Sequence, residues 1–298
     1  MEQQRPFFSI IVPTYNRPKQ LTACLQSLAR LQYPRDRFEV IVVDDGSAVP
    51  LEAVVALANP QLEVTLLRQP HAGPAAARNA GAARAKGEFL AYTGDDCTPA
   101  PDWLQTLAAR FATATDCAVG GRILNALHDN PYATASHLLI DYLYSYYNAC
   151  PGQACFFTPN NLTLPKDRFR VIGGFDASFV RGTGEDREFC DRWLRHGYRM
   201  LYSPEVLVFH AHTLTFRTFW RQHFNYGCGS LRYRLTRAQR DSGRIKLEPF
   251  WFYVNLLRYP LSGVREKKRL RLVVLLGVSQ VANAAGFFWE SRRKLEHA

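Results

Sequence analysis

Between residues 8 and 111, short apolar runs alternate with stretches of helical spacing. Phe8–Thr14 (FSIIVPT) and Phe38–Val43 (FEVIVV) are almost continuously apolar, which predicts strands buried on both faces of a parallel sheet. Leu62–Leu67 and Phe89–Thr93 read as two further strands. Between them, Gln20–Leu31 places apolar residues at Leu21, Cys24, Leu25, Leu28 and Leu31, a helical spacing. Val54–Leu57 forms the heart of a second helix, Pro74–Lys86 an Ala-rich third stopped by Gly87, and Pro101–Phe111 a fourth. This alternation implies an α/β fold with ligands at the carboxyl ends of the strands. The 298 residues suffice for one large domain or two smaller ones. Beyond Gly120-Gly121 the pattern loosens. Residues 132–147 are rich in Tyr and Leu, and residues 171–212 hold a Gly-rich loop, a helix near Arg187–His196 and a short strand near Val206–His210.

Three acidic pairs sit at strand ends or in a Gly-containing loop: Asp44-Asp45, Asp95-Asp96 and Glu185-Asp186. An Asp after a strand can simply cap the next helix. Three pairs converging on one rim are another matter, because neighbouring carboxylates repel unless a cation joins them. They have no basic partners close by in sequence, so a divalent cation holding a diphosphate is the expected neutraliser.

Several short motifs then follow in order: Val12-Pro13-Thr14-Tyr15-Asn16-Arg17, Val43-Asp44-Asp45-Gly46-Ser47, Gly73-Pro74 with Ala77-Arg78-Asn79-Ala80-Gly81, Gly94-Asp95-Asp96-Cys97, Gly173-Gly174-Phe175-Asp176 and Gly184-Glu185-Asp186. Each is weak alone, but the ordered set over residues 8–212 resembles the family-2 glycosyltransferases. Neither a GxxxxGK[ST] phosphate loop nor a GxGxxG after the first strand competes with it. The resemblance implies a GT-A type, mostly parallel sheet flanked by helices, with a basic helical C-terminal extension. It implies an inverting transfer of sugar from a nucleotide-diphosphate donor, UDP-linked in most of the family, to a hydroxyl acceptor. By the same resemblance, Pro13, Thr14 and Tyr15 line the nucleobase pocket, with the Tyr15 ring on the base. Asp45 bonds the base, Arg17 and Arg78 lie beside the nucleotide, and Asp95 faces the ribose or donor sugar. Asp96 is the direct ligand of a Mg²⁺ or Mn²⁺ ion, with His210 beside it, and Asp186 is the catalytic base. Glu185 and Asn161 fall on the acceptor side.

Two departures bear on these roles. Gly94 stands where relatives commonly carry a first Asp before Asp95-Asp96-Cys97. Cys190-Asp191-Arg192-Trp193 does not match the Gln-x-x-Arg-Trp signature of processive members, so Trp193 is expected in the core and a single transfer is expected over polymer synthesis.

The net charge of +11 resides in the C-terminal part. Residues 214–298 hold 17 Lys and Arg against 5 Asp and Glu, a balance of +12, and the other 213 residues hold 20 against 21, a balance of −1. The expected organisation is therefore a catalytic domain over 1–213 and a basic helical region over 214–298. Leu272–Trp289 is an 18-residue run without a charge. It follows Arg265-Glu266-Lys267-Lys268-Arg269 and Arg271 and precedes Arg292-Arg293-Lys294, with an aromatic cluster at Phe250–Tyr253. Such a segment suits an anionic membrane surface, while a buried helix or an oligomer contact is the plainer alternative. Because the catalytic motifs end by His212, the chemistry is expected not to need residues 265–298. Seven scattered cysteines without a CxxC pair fit free thiols. Met1–Phe8 has no charged stretch followed by an apolar one, so the expected place is the cytoplasmic side, against the membrane of a cell making envelope glycans. Lipid-linked acceptors belong to this reading. Nucleic acid is not an expected partner, since no recognition fold accompanies the basic tail. A non-catalytic nucleotide-sugar sensor and a nucleotidyltransferase are the rival readings.

Overall fold

The computed structural model describes residues 5–58, 62–150, 152–179, 183–241, 243, 245–261 and 266–295. Its centre is an eight-stranded sheet of order β3-β2-β1-β4-β7-β6-β8-β5. The strands are β1 (Phe8–Thr14), β2 (Phe38–Asp44), β3 (Val64–Arg68), β4 (Phe89–Tyr92), β5 (Cys97–Pro99), β6 (Ala118–Asn125), β7 (Leu162–Pro165) and β8 (Met200–His210). The half containing β3, β2, β1 and β4 is parallel throughout. β7 is antiparallel to β4 and β6, and β5 is antiparallel to β8. β6 runs parallel to β8, with a break in register between Gly121 and Arg122.

The helices are α1 (Pro18–Leu28), α2 (Glu52–Ala58), α3 (Pro74–Arg84), α4 (Trp103–Phe111), α5 (Pro131–Tyr147), α6 (Lys166–Val171), α7 (Glu185–Arg195), α8 (Phe216–Asp241), α9 (Phe250–Arg258) and α10 (Glu266–Leu295). The continuous apolar strands are buried as their pattern requires. Ile10, Val12, Val40 and Val42 face a core with Leu21, Leu25, Trp103 and Leu107, while Ile11, Ile41 and Val43 face the opposite core with Ala77, Phe175 and Trp193. Alternate residues of one strand thus enter different layers, the period of two dictated by the pleat. Trp193 is fully buried, as expected from the absent processive signature.

The register brings the strand ends together. Thr14 lies opposite Asp44, and β1 also pairs with β4, so the loops bearing Asn16, Asp45 and Asp95 emerge on one rim. The Asn16 backbone N–H donates to Ser47 Oγ at 2.8 Å, and Asn16 Oδ1 accepts from Ala48 N at 2.8 Å, which clips the first two loops to each other.

The described part of residues 214–298 packs against the rest of the chain. α8 and α10 cross where a Cβ on Gly227 or Gly286 would collide with the other helix's backbone, so glycine at both positions permits the close approach. α10 also packs on α5 and α9. Leu272, Leu276, Ser279, Ala282 and Glu290 are buried, the last bonded by Arg232 Nε at 2.6 Å. Among the described residues, Arg269–Arg293 has the length and mean hydropathy (1.6) of a membrane span by length and composition alone, and 33% of its apolar window is buried in the protein. Arg265, part of the expected basic flank, lies outside the described residues.

Candidate active site

The Asp95-Asp96 turn leaves β4, and the three residues after it form β5 against the end of β8. That short antiparallel pair sets Cys97 opposite His210 and lets Ala211 N donate to Asp96 O at 2.8 Å. As a result His210 Nε2 lies 3.2 Å from Asp96 Oδ1. Ligand atoms of Asp96, His210 and His212 all lie within 4.8 Å of one another. One carboxylate and two imidazoles form an N/O donor set of the kind a divalent first-row ion such as Mn²⁺ accepts. His212, which the sequence offers less strongly than His210, completes the set: their i, i+2 spacing in an extended strand end returns both side chains to the same side.

Arg17 sits over the same pair of carboxylates. Its Nη1 is 3.2 Å from Asp95 Oδ1 and 3.0 Å from Asp96 Oδ2, and Thr14 Oγ1 donates to Asp95 Oδ2 at 2.8 Å. The cation that sequence inspection missed beside these aspartates therefore comes from the β1–α1 loop. Asp95 is pushed up to about 6 by burial and by the neighbouring Asp96 charge, against the pull of Arg17 and Thr14. Burial pushes Asp96 upward as well, but His210 and Arg17 outweigh it and hold the carboxyl below the usual range. Burial lowers His212 to about 4. Gly94 is packed against this cluster. A Cβ there would lie 3.0 Å from Asp96 Oδ1 and 3.3 Å from Cys97 Sγ, so any side chain at this position would press on Asp96.

At the β1–α1 loop, Tyr15 is 43% exposed and stacks on His71, ring centroids 4.2 Å apart. Asp45 is buried and accepts from Gln69 Nε2 (2.7 Å), Ala72 N (3.0 Å) and Gly73 N (2.8 Å), with His71 Nδ1 also at 2.8 Å. These contacts fill both oxygens, so a base can reach Asp45 only by displacing the Gln69 or His71 side chain. His71 was not singled out from the sequence, because its partners, Tyr15 and Asp45, lie far from it in the chain.

The third acidic pair opens α7. Gly184 caps the helix in the left-handed region (φ 93), and a Cβ there would meet the Gly229 carbonyl oxygen at 2.7 Å. α8 thus presses directly on the residue before Glu185-Asp186. Thr183 Oγ1 donates to Asn225 O at 2.9 Å, a second tie to α8. Arg78, on α3, reaches across with Nη1 3.1 Å from Glu185 Oε1 and its guanidinium over the Phe175 ring. Arg78 Nε and Glu185 Oε2 are buried without a partner among the described residues. Burial raises both Glu185 and Asp186. Asp186 adds to the rise of Glu185, while Arg187 and Arg78 pull Asp186 back. A carboxyl kept basic beside a cavity is suited to accept a proton.

Arg78, Glu185, Asp186, His210 and His212 line one cavity of about 580 Å³. Its other walls come from α5, α8, α9 and α10, including Gln222, Tyr226, Asn283 and Phe287. The expectation that residues 265–298 lie outside the chemistry is corrected by this arrangement: α10 forms part of the wall. Asn161 is a second correction. It is 1% exposed and turned away from the cavity, its Oδ1 accepting from Trp103 Nε1 at 2.9 Å. Its Nδ2 donates to Arg122 O (3.0 Å) and Val206 O (2.9 Å), bridging β6 and β8 where their register breaks. It replaces missing sheet bonds, and its neighbour Asn160 lines the cavity instead.

Known proteins resemble this chain in sequence and in fold. Residues 9–173 match the model of glycosyl transferase family 2, and residues 95–289 that of glycosyl transferase family group 2. A pre-mycofactocin glycosyltransferase of Mycobacterium tuberculosis is 32% identical over 224 residues, 74% of this chain and 46% of the relative, so the chain spans about half that relative's length. The glycosyltransferase AglE of Haloferax volcanii is 25% identical over 264 residues, 87% of this chain and 84% of the relative. Among solved structures, a mannosyltransferase from Pyrobaculum calidifontis in complex with GDP-Man and Mn²⁺ superposes with a TM-score of 0.67 at 20% identity, covering 97% of this chain and 88% of that one. Its likeness is one of fold.

Proposed function

This chain belongs to glycosyl transferase family 2, and we propose that it is an inverting, divalent-metal-dependent hexosyltransferase that moves a sugar from a UDP-sugar to a hydroxyl acceptor. The carrying observation is that Asp186 and the imidazoles of the Asp96–His210–His212 cluster line the same cavity. In this reading Asp186 removes the acceptor hydroxyl proton as the oxygen attacks the anomeric carbon. The bond from that carbon to the diphosphate oxygen breaks, the nucleoside diphosphate leaves, and attack from the opposite face inverts the centre. A divalent ion bound by Asp96, His210 and His212 would act as Lewis acid toward the departing diphosphate. Arg17 and Arg78 carry fixed positive charge at the rim, where diphosphate oxygens would meet it. Arg78 also holds Glu185, so Glu185 positions the start of α7 more than it meets an acceptor.

The nucleotide is uridine in this proposal, with Tyr15 as its stacking surface once His71 yields. A Staphylococcus aureus fold neighbour holds UDP-GlcNAc and the archaeal one GDP-Man, so both nucleotides belong in the test. The basic, aromatic C-terminal helices support peripheral contact with the cytoplasmic face of a membrane, and a role in envelope glycan synthesis goes with it. The decisive experiment is a screen of nucleotide sugars for nucleotide release with Mn²⁺ or Mg²⁺ and with chelator. Release that persists in chelator defeats the metal assignment. No release from any donor leaves the non-catalytic sensor as the better reading.

A further inference from the structure

The cavity that opens at Asp186 changes character along its length. Away from the carboxylates it is walled by Leu139 and Leu143 of α5, Phe252 and Tyr253 of α9, and Phe287 and Phe288 of α10. Leu139, Leu143 and Phe252 are continuous with the buried core, whereas Tyr253 is 36% and Phe288 65% exposed, so this wall runs from the interior to the surface. There it meets a stripe of exposed apolar side chains. Leu270, Val274, Val281 and Phe288 follow one another at intervals of four, seven and seven residues, which places them on one face of α10. Phe288 belongs to both the stripe and the cavity wall. Arg271 follows the first member of the stripe, and Arg292 and Arg293 lie beyond its last, Arg293 over the Trp289 ring. On α9, Phe250 and Trp251 are also exposed.

Sugar and phosphate are recognised by polar groups, and the rim of strand ends supplies those. An apolar, aromatic wall that leads from a catalytic carboxylate to an exposed apolar helix face has another chemistry to satisfy. We infer that the α5–α9–α10 end of the cavity is an acceptor subsite for an apolar chain, and that the acceptor is a membrane lipid whose hydroxyl-bearing head group reaches Asp186. The chain lies against Leu143, Phe252 and Phe287 and leaves the protein past Phe288. The α10 stripe rests in the lipid from which the acceptor comes, and the flanking arginines meet its anionic head groups. This proposal rests on the glycosyltransferase reading for the role of Asp186, but its apolar subsite has a readout of its own.

That readout is chain-length dependence of binding. Alkyl glucosides with one head group and chains from hexyl to decyl, kept below their micelle concentrations, are titrated into the full-length protein by calorimetry. Burial of each added methylene predicts roughly fourfold tighter binding per CH₂. The Tyr253→Ser/Phe288→Ser double variant, altered only at exposed positions, should flatten that slope. Val171→Ser, a control on α6 that is 64% exposed, should keep it. In parallel, the wild-type protein should sediment with vesicles of phosphatidylglycerol and phosphatidylcholine, and Val281→Ser/Phe288→Ser should sediment less. A slope of zero, a slope unchanged in the double variant, or wild-type protein left in the supernatant overturns the proposal. Nucleotide release by the wild-type protein is measured alongside. Its failure with every donor would defeat the glycosyltransferase reading while the chain-length slope still decides the subsite.

Discussion

His210 Nε2 and Asp96 Oδ1 lie 3.2 Å apart across the β5–β8 pair, while Arg17 holds the other oxygen of Asp96. One carboxylate thus faces a fixed cation on one side and an imidazole pair on the other. Asp96→Ala is expected to abolish turnover and weaken nucleotide-diphosphate binding in Mn²⁺. His210→Ala should lower Mn²⁺ affinity by at least the roughly 10–100-fold that follows loss of a supporting partner at metal sites. Electron paramagnetic resonance of free Mn²⁺ reads both. Unchanged affinity in the two variants would exclude this cluster as the metal site.

Asp186→Asn separates binding from chemistry. The amide keeps the shape and the hydrogen bond from Arg187 N, but it cannot take a proton. Turnover should fall by roughly 10²-fold or more with donor affinity nearly unchanged. Donor affinity that falls while turnover survives would make Asp186 a structural residue.

The pH profile follows from the raised Asp186 carboxyl. A base works only when deprotonated, so activity falls as pH drops through its raised pKa, and the acid limb should lie above the ordinary carboxylate range. Arg187 pulls that pKa down, so Arg187→Met should move the limb to still higher pH. The stability effect has the opposite sense. A carboxyl raised on folding binds its proton more tightly in the folded state, so Glu185 and Asp186 contribute stability as pH falls through their folded pKa values. The two titrate as a pair, and a profile measured on kcat/KM reports the pair. An acid limb at the position of an ordinary exposed Asp would contradict the assignment.

Asn161→Ala should damage the fold and spare the chemistry. It leaves Trp103 Nε1 and Val206 O buried, and Arg122 O part-buried, without their partner. At about 1–3 kcal/mol for each group orphaned, a loss of roughly 3 kcal/mol or more is expected, visible as a lower denaturant midpoint. Donor KM in the folded fraction should stay near wild type. An acceptor KM effect with unchanged stability would restore the acceptor-side role.

Deleting residues 265–298 should remove nucleotide release along with membrane contact. The deletion uncovers Cys228 of α8, which now meets Gly286 O, and opens the cavity wall at Asn283 and Phe287. A soluble truncated protein with full nucleotide release would show that α10 is dispensable to the site.

What the sequence determined is local. Phe8–Thr14 and Phe38–Asp44 were legible because an apolar run of that length has to be buried on both faces, and the turn residues after it have to reach the rim. α7 was foreseen two residues short of its start, whereas the Tyr- and Leu-rich stretch 132–147, nearly the whole of α5, was not assigned to a helix. The motif order identified the rim residues because each motif is a strand end or helix start of fixed local geometry. β5, β6 and β7 were not legible. β5 has three residues and β7 four, and β6 begins Ala-Val-Gly-Gly, so none has a period of its own. They exist because partners from distant segments, antiparallel for β5 and β7 and mainly parallel for β6, complete their hydrogen bonds. The same reason separates the adjacent Asn160 and Asn161. The residue type is identical, and only the register break between β6 and β8, made by chains more than thirty residues apart in sequence, turns one inward to repair the sheet and the other toward the cavity. The inclusion of α10 in the site was likewise decided by packing. Charge and hydropathy describe the helix's composition, but the face it buries is set by Gly227 and Gly286, whose missing side chains let α8 and α10 meet.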